Sequence, residues 1–145
     1  MLKQPMKNKL YALIILLFFS TNSFSEVVKN VTIEGNERVN SQTIEIFGGF
    51  KIGQDLNTND LNNILKKLYE TKFFKNVNLS LENSILKITV EENPVIQNLI
   101  IKGIENKTLK EKIEETLTLK EKNPFVENEI KIGINNIKNL LQEVG

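Results

Sequence analysis

Val31-Thr-Ile-Glu-Gly-Asn-Glu-Arg-Val39 is echoed further along the chain by Leu99-Ile-Ile-Lys-Gly-Ile-Glu-Asn-Lys107, with Gly35 and Gly103 in register 68 residues apart. In the first run Val31 and Ile33 point to one face of a strand and Thr32 and Glu34 to the other, so the strand has one face for a core. Gly35 and Asn36 end it, because both residue types tolerate turn conformations that a β-branched residue resists. A second echo follows: Leu61, Ile64 and Leu68 correspond to Ile134, Ile137 and Leu141 at an offset of 73. The five extra residues fall between the helices, where insertions cost least. Repetition of the whole order of signals points to a repeated structural unit.

Outward from that strand, the spacing predicts a short helix over 41–47 that buries Ile44 and Phe47 and closes at Gly48-Gly49. Asn57 or Thr58 caps a second helix, whose Leu61, Ile64, Leu65 and Leu68 form one apolar stripe. Burying these side chains is worth about 1.5–3 kcal/mol each before the entropy of ordering them, so the stripe needs a sheet beneath it. The sheet comes from two alternating runs. Phe73, Val77, Leu79 and Leu81 alternate with Phe74, Asn76, Asn78 and Ser80, and Leu86, Ile88 and Val90 alternate with Lys87, Thr89 and Glu91. Glu82-Asn83-Ser84 is the hairpin loop between them. The expected fold class is α+β, a βααββ unit with two helices packed on a three-stranded mixed sheet.

Asn93-Pro94 marks a boundary, since proline gives nothing to a sheet ladder and holds the preceding residue extended. Beyond it, 95–102 repeats the first strand and 108–117 the first helix, with Leu109, Ile113 and Leu117 inward. The second helix repeats over 126–141, with Ile130, Ile134, Ile137 and Leu141 inward. The expected organisation is a signal segment over 1–25, a complete unit over 26–94 and a second unit over 95–145 without its last two strands. A helical layer without its sheet leaves its core open to water, so these residues read as part of a longer protein.

The first 25 residues have the chemistry of an export signal. Lys3, Lys7 and Lys9 are the positive region, and Leu10 to Phe19 is an apolar run about half the roughly 20 residues needed to span a bilayer. Ser23 and Ser25 are the small residues a signal peptidase reads, which places cleavage between Ser25 and Glu26. Removing this segment takes three of the 19 basic residues and leaves 16 against 18 acidic ones. No basic stripe remains and there is no Trp, so a nucleic-acid partner is not expected. Without cysteine, the exported chain depends on its apolar core alone.

With histidine absent as well as cysteine, His-based triads, thiolate nucleophiles and zinc sites with nitrogen or sulfur ligands are all removed. Neighbouring Glu91 and Glu92 point to opposite faces of a strand and read as a solvated strand end. Asp55-Leu-Asn-Thr-Asn-Asp60 imitates a calcium loop, but Asp60 stands where glycine is needed and Lys66 where a bidentate glutamate belongs. A helix cap explains it more simply. The glycines at 48, 49 and 53 lack a following Gly-Lys-Ser/Thr and read as turns. No enzyme activity, cofactor or metal is expected.

Three runs resemble tandem POTRA domains of the BamA-like outer-membrane protein assembly factors: Val31 to Val39, Leu68-Tyr-Glu-Thr-Lys-Phe-Phe-Lys-Asn-Val77, and Val90-Glu-Glu-Asn-Pro-Val-Ile96. The likeness covers Val27 to Gly145 and departs at two points: Lys72 stands where the family favours glycine, and Ile104 replaces the asparagine found at Asn36. The first departure bears on the geometry of the helix end.

What the resemblance implies is a periplasmic array ahead of an outer-membrane barrel that lies outside this sequence. Its partners would be unfolded outer-membrane protein clients and assembly-complex lipoproteins. A two-partner secretion transporter shares this architecture. A division protein with a single POTRA domain behind a membrane anchor would need a longer apolar segment and no second repeat. The open edge of a small sheet suits an extended client added as a further strand. The candidate edge is 73–81, with Phe74, Asn76, Asn78 and Ser80 facing away from the helices.

Overall fold

The computed structural model describes residues 25–144; the positive region and apolar run of the expected export signal lie outside them. Nine elements follow in order: β1 (Glu26–Val27), β2 (Asn30–Glu34), α1 (Ser41–Gly48), β3 (Asp55–Leu56), α2 (Thr58–Glu70), β4 (Phe74–Glu82), β5 (Ile85–Glu92), α3 (Lys107–Thr116) and α4 (Glu127–Val144). The main sheet has the order β2-β5-β4, with β2 parallel and β4 antiparallel to the central β5. This is the expected βααββ unit on a mixed sheet. One face of the sheet carries the helices and the core of Ile44, Phe50, Ile64, Leu68, Val77, Leu86, Ile88 and Val90.

The expected single strand over 27–34 is divided. The Val28 N–H donates to the Gln54 carbonyl at 2.9 Å and its own carbonyl accepts from the Gly53 N–H at 2.7 Å, so β1 pairs with β3 as a separate ribbon. Val28, fully buried, and Leu56 anchor that ribbon to the core. Lys29 and Asn30 then turn their N–H groups to the Ser84 carbonyl, and β2 begins. The β4–β5 loop is shorter than expected. Glu82 pairs with Ile85, leaving Asn83 and Ser84 with φ of 52° and 64°, a two-residue turn whose twist matches the strands.

Both helix starts are made by asparagine. Asn40 Oδ1 accepts from the Thr43 N–H, and Asn57 Oδ1 accepts from the N–H groups of Asn59 and Asp60 while Asp60 Oδ2 accepts from the Asn57 N–H. That reciprocal capping box accounts for the calcium-like run, whose Asp60 is fully engaged in starting α2. The α1 helix closes on Gly49 at φ 70°. On α2, Ile64 and Leu68 are buried while Leu61 and Leu65 pack at the margin of the same core.

In the second unit the helices stand as expected, with α3 capped by Asn106 and Ile113 and Leu117 buried. Two expectations fail there. Residues 96–102 form no strand, because no neighbouring strand pairs with them; Val95 alone bridges to Pro124. The inward row of α4 is also displaced: Ile134 and Leu141 are exposed, and Gly133 is buried where Leu117 packs, 3.0 Å from the place a Cβ would take. A glycine carries no hydropathy signal, so the apolar spacing was drawn to the isoleucine beside it.

Candidate partner-binding edge

The outer edge of β4 is the longer of the two edges of the main sheet, nine residues against five in β2. Its direction is set by the turn before it. Lys72 takes φ 63°, the conformation that glycine adopts without strain, after its N–H donates to the Tyr69 carbonyl at 3.0 Å. Asn93, nearly buried, holds the turn from the other side: its Nδ2 donates to the Lys72 carbonyl at 2.8 Å and its N–H to the Phe73 carbonyl at 2.8 Å. The doubt raised by Lys72 about the helix end is thereby answered, since the turn forms and asparagine secures it. A left-handed non-glycine residue costs about 1–2 kcal/mol, part of which glycine returns as chain entropy. Lys72→Gly is therefore expected to raise stability by about 0.5–1 kcal/mol, read as a higher urea midpoint with an unchanged slope; a lower midpoint would contradict it.

A register shift at Lys75 decides which side chains leave the core. Phe74 pairs with Glu92 and Asn76 with Glu91, so Lys75 is the extra residue of a bulge. Phe74 is consequently buried, 2% exposed, and does not face away from the helices as its place in the alternation suggested. Phe73, half-buried, stacks on Phe47 with ring centroids 5.7 Å apart. Asn76, Asn78 and Ser80 are exposed, in agreement with the alternation.

Side-chain direction and backbone direction are different properties of a strand. Glu82 and Ile85 flank a two-residue turn and so exchange hydrogen bonds; by alternation Ser80, Asn78 and Asn76 also direct their backbone groups at β5. Val77, Leu79 and Leu81 then direct theirs outward. The Val77 N–H bears this out by donating not to β5 but to the Tyr69 hydroxyl of α2, at 3.1 Å. The backbone groups free to meet an added strand thus belong to the apolar row, whereas Asn76, Asn78 and Ser80 would supply only the polar face beside it.

At the far end of the sheet Glu92 is held by a cluster that its sequence position did not reveal. One carboxylate oxygen accepts from the N–H groups of Glu37, Arg38 and Val39, each at 2.9 Å, and the other from Arg38 Nε at 2.9 Å. The side chain is 6% exposed. Burial pushes its carboxyl up, but the hydrogen bonds from Val39, the Arg38 guanidinium and the Arg38 and Glu37 amides outweigh it, and the net shift is downward. The reading of both glutamates as a solvated end holds only for Glu91, which is exposed and pairs with Lys75 at 2.9 Å. Arg38 also donates to the Asn93 carbonyl, tying this cluster to the Lys72 turn. Glu26, beside the expected cleavage point after Ser25, lies in β1 opposite Leu56, and its carboxylate accepts from the Ser84 N–H.

No protein-family model matches the chain. Among curated proteins it is 35% identical over 88 residues to the outer membrane protein assembly factor BamA of Neorickettsia risticii, a match spanning 61% of this chain and 12% of that protein. It is 30% identical over 90 residues to BamA of Neisseria meningitidis serogroup B, covering 60% of this chain and 11% of the relative. The chain thus spans about an eighth of the length of these relatives. In structure it superposes on the N-terminal domain of Omp85 from Thermosynechococcus elongatus with a TM-score of 0.56 at 17% identity, covering 84% of this chain and 53% of that one. The POTRA1-2 region of the periplasmic domain of Omp85 from Anabaena gives a TM-score of 0.52 at 16% identity, covering 86% and 83%. The chain carries the POTRA fold, and over about 60% of its length it is a sequence relative of the outer membrane protein assembly factor BamA.

Proposed function

We infer that this chain is the periplasmic, polypeptide-binding POTRA region of an outer-membrane β-barrel protein assembly and insertion factor. Unfolded outer-membrane protein clients and assembly-complex lipoproteins are its partners, and a C-terminal barrel outside this sequence connects it to the outer membrane. Residues 1–25 act as the export signal, and cleavage leaves Glu26 as the first residue of β1; the mass of the exported protein checks this and is expected to start at Glu26. Among the described residues no helix is long and apolar enough to cross a membrane.

The observation that carries this reading is the β4 edge, where Leu79 and Leu81 turn backbone donors and acceptors outward beside a helix-covered apolar row. An extended client joining there is bound mainly through its backbone, which asks little of its sequence and suits a factor serving many clients. Proline tests the edge only if placed in the correct row. At Asn78 it removes a bond to β5 and harms the sheet itself, whereas at Leu79 it removes an outward donor. With a photo-crosslinker at Ser80, Leu79→Pro is expected to cut client crosslinking at least threefold in protein that still unfolds cooperatively. Undiminished crosslinking would take β4 out of the account.

A further inference from the structure

Tyr69, on α2, reaches the free rim of the sheet. Its hydroxyl accepts the N–H of Val77 at 3.1 Å; Val77 is the first residue of β4 past the bulge at Lys75 whose amide points away from β5. The hydroxyl takes the place that the carbonyl of a further strand would take. Past it the rim closes in another way: Tyr69, Phe74, Lys75 and Phe125 line a cleft of about 510 Å³, and the bulge bends the strand there.

In the opposite direction the rim is open. Asn78, Leu79, Ser80 and Leu81 carry no charge and no proline, the usual guards of a free edge, and among the described residues nothing outside the sheet bonds Leu79 or Leu81. Charged side chains stand only at its ends, Lys75 engaged with Glu91, and Glu82 at the turn.

We propose that Tyr69 is a register stop: it limits an added strand to the rungs at Leu79 and Leu81 and fixes where along β4 that strand begins. The inference rests on the β4 edge being the docking site. Its occupant is an uncharged extended polypeptide with apolar side chains at alternate positions, because Val77, Leu79 and Leu81 present an apolar row towards α2 and the open rungs offer no charge to pair. Two rungs and no more would hold such a strand weakly, each hydrogen bond contributing only about two- to tenfold in affinity. Tyr69 is 41% exposed, so its ring can carry the hydroxyl without being needed to fill the core.

Hydrogen exchange on the whole chain tests the stop in two steps. In free protein Tyr69→Phe is expected to speed exchange of the Val77 amide at least tenfold, while the Leu79 and Leu81 amides exchange fast in both proteins. An unchanged Val77 rate overturns the proposal. The second step adds an uncharged, end-blocked eight-residue peptide of alternating valine and threonine. In the wild type it is expected to slow Leu79 and Leu81 only; in Tyr69→Phe the Val77 amide is slowed as well and the peptide binds about two- to tenfold more tightly, as one more hydrogen bond allows. Equal affinity with Leu79 and Leu81 slowed in both proteins overturns the stop and leaves the edge standing. A peptide that slows neither amide overturns the edge, and the stop with it.

Discussion

Gly35→Ala is expected to cost more than 3 kcal/mol and to leave residues 26–94 largely unfolded at room temperature. Gly35 lies in the left-handed region, φ 83°, and a Cβ built there would sit 2.1 Å from the Val90 carbonyl oxygen and 3.2 Å from its carbon. The neighbour cannot give way. Val90 belongs to the central strand, paired with Val77 of β4 on one side, so moving its backbone disturbs the sheet on which both helices rest. Conformation alone accounts for about 1–2 kcal/mol, and the close approach adds the rest. Gly53 separates the two contributions: it has φ 88° and nothing within 4 Å of a new Cβ, so Gly53→Ala bears only the conformational cost. Gly103, the counterpart of Gly35 in the second unit, likewise has φ 80° and open space around it. Urea unfolding followed by circular dichroism is expected to rank Gly35→Ala well below the other two. Three similar midpoints would mean that the approach to Val90 is of no consequence.

That glycine also marks how far the sequence could be read. The turn after β2 was visible because alternation stopped at a residue type suited to positive φ, and the stripe on α2 was visible because four apolar residues recur at helical spacing. The reason the turn admits no side chain was not visible, since Val90 is 55 positions away. The same limit explains the candidate edge. Its strand was found, but the alternation was counted through Lys75, where the bulge breaks it, and Phe74 was placed on the wrong face. A bulge has no consistent sequence mark, and the pattern Phe73-Phe74 fits either register. The pattern also reports where side chains go and says nothing of the backbone direction that decides which residues can receive a strand. For α4 the difficulty was opposite in kind, since Gly133 fills an inward place with no apolar signal at all.

Glu92 is the second residue whose removal is expected to matter most. Three amides and a guanidinium converge on one carboxylate that water scarcely reaches, and each such charge-assisted bond is worth about 1.5–3 kcal/mol, with sums well below additive. Glu92→Ala leaves those four donors facing an empty site and is expected to cost about 3–5 kcal/mol. Glu92→Gln retains one acceptor oxygen but not the charge opposite Arg38, and about half that loss is expected. The pH dependence distinguishes the carboxylate from mere packing. Because its carboxyl is held below the ordinary value when folded, the stabilisation is fully present above the unfolded glutamate value of about 4.3 and is lost as pH falls through the lower folded value. Wild-type stability is therefore expected to fall steeply below about pH 4, and Glu92→Gln to fall less steeply, the two curves converging in acid. Glu91 supplies the control: its carboxyl is also lowered, by the hydrogen bonds from Lys75 and Asn76, but it is exposed, so Glu91→Gln is expected to change the acid slope little. Parallel curves for wild type and Glu92→Gln would show that shape rather than charge holds the turn after β2 to the end of β5. Convergence would mean that a single ionised side chain joins the turn after β2, the last strand and, through Arg38 and Asn93, the Lys72 turn from which β4 departs.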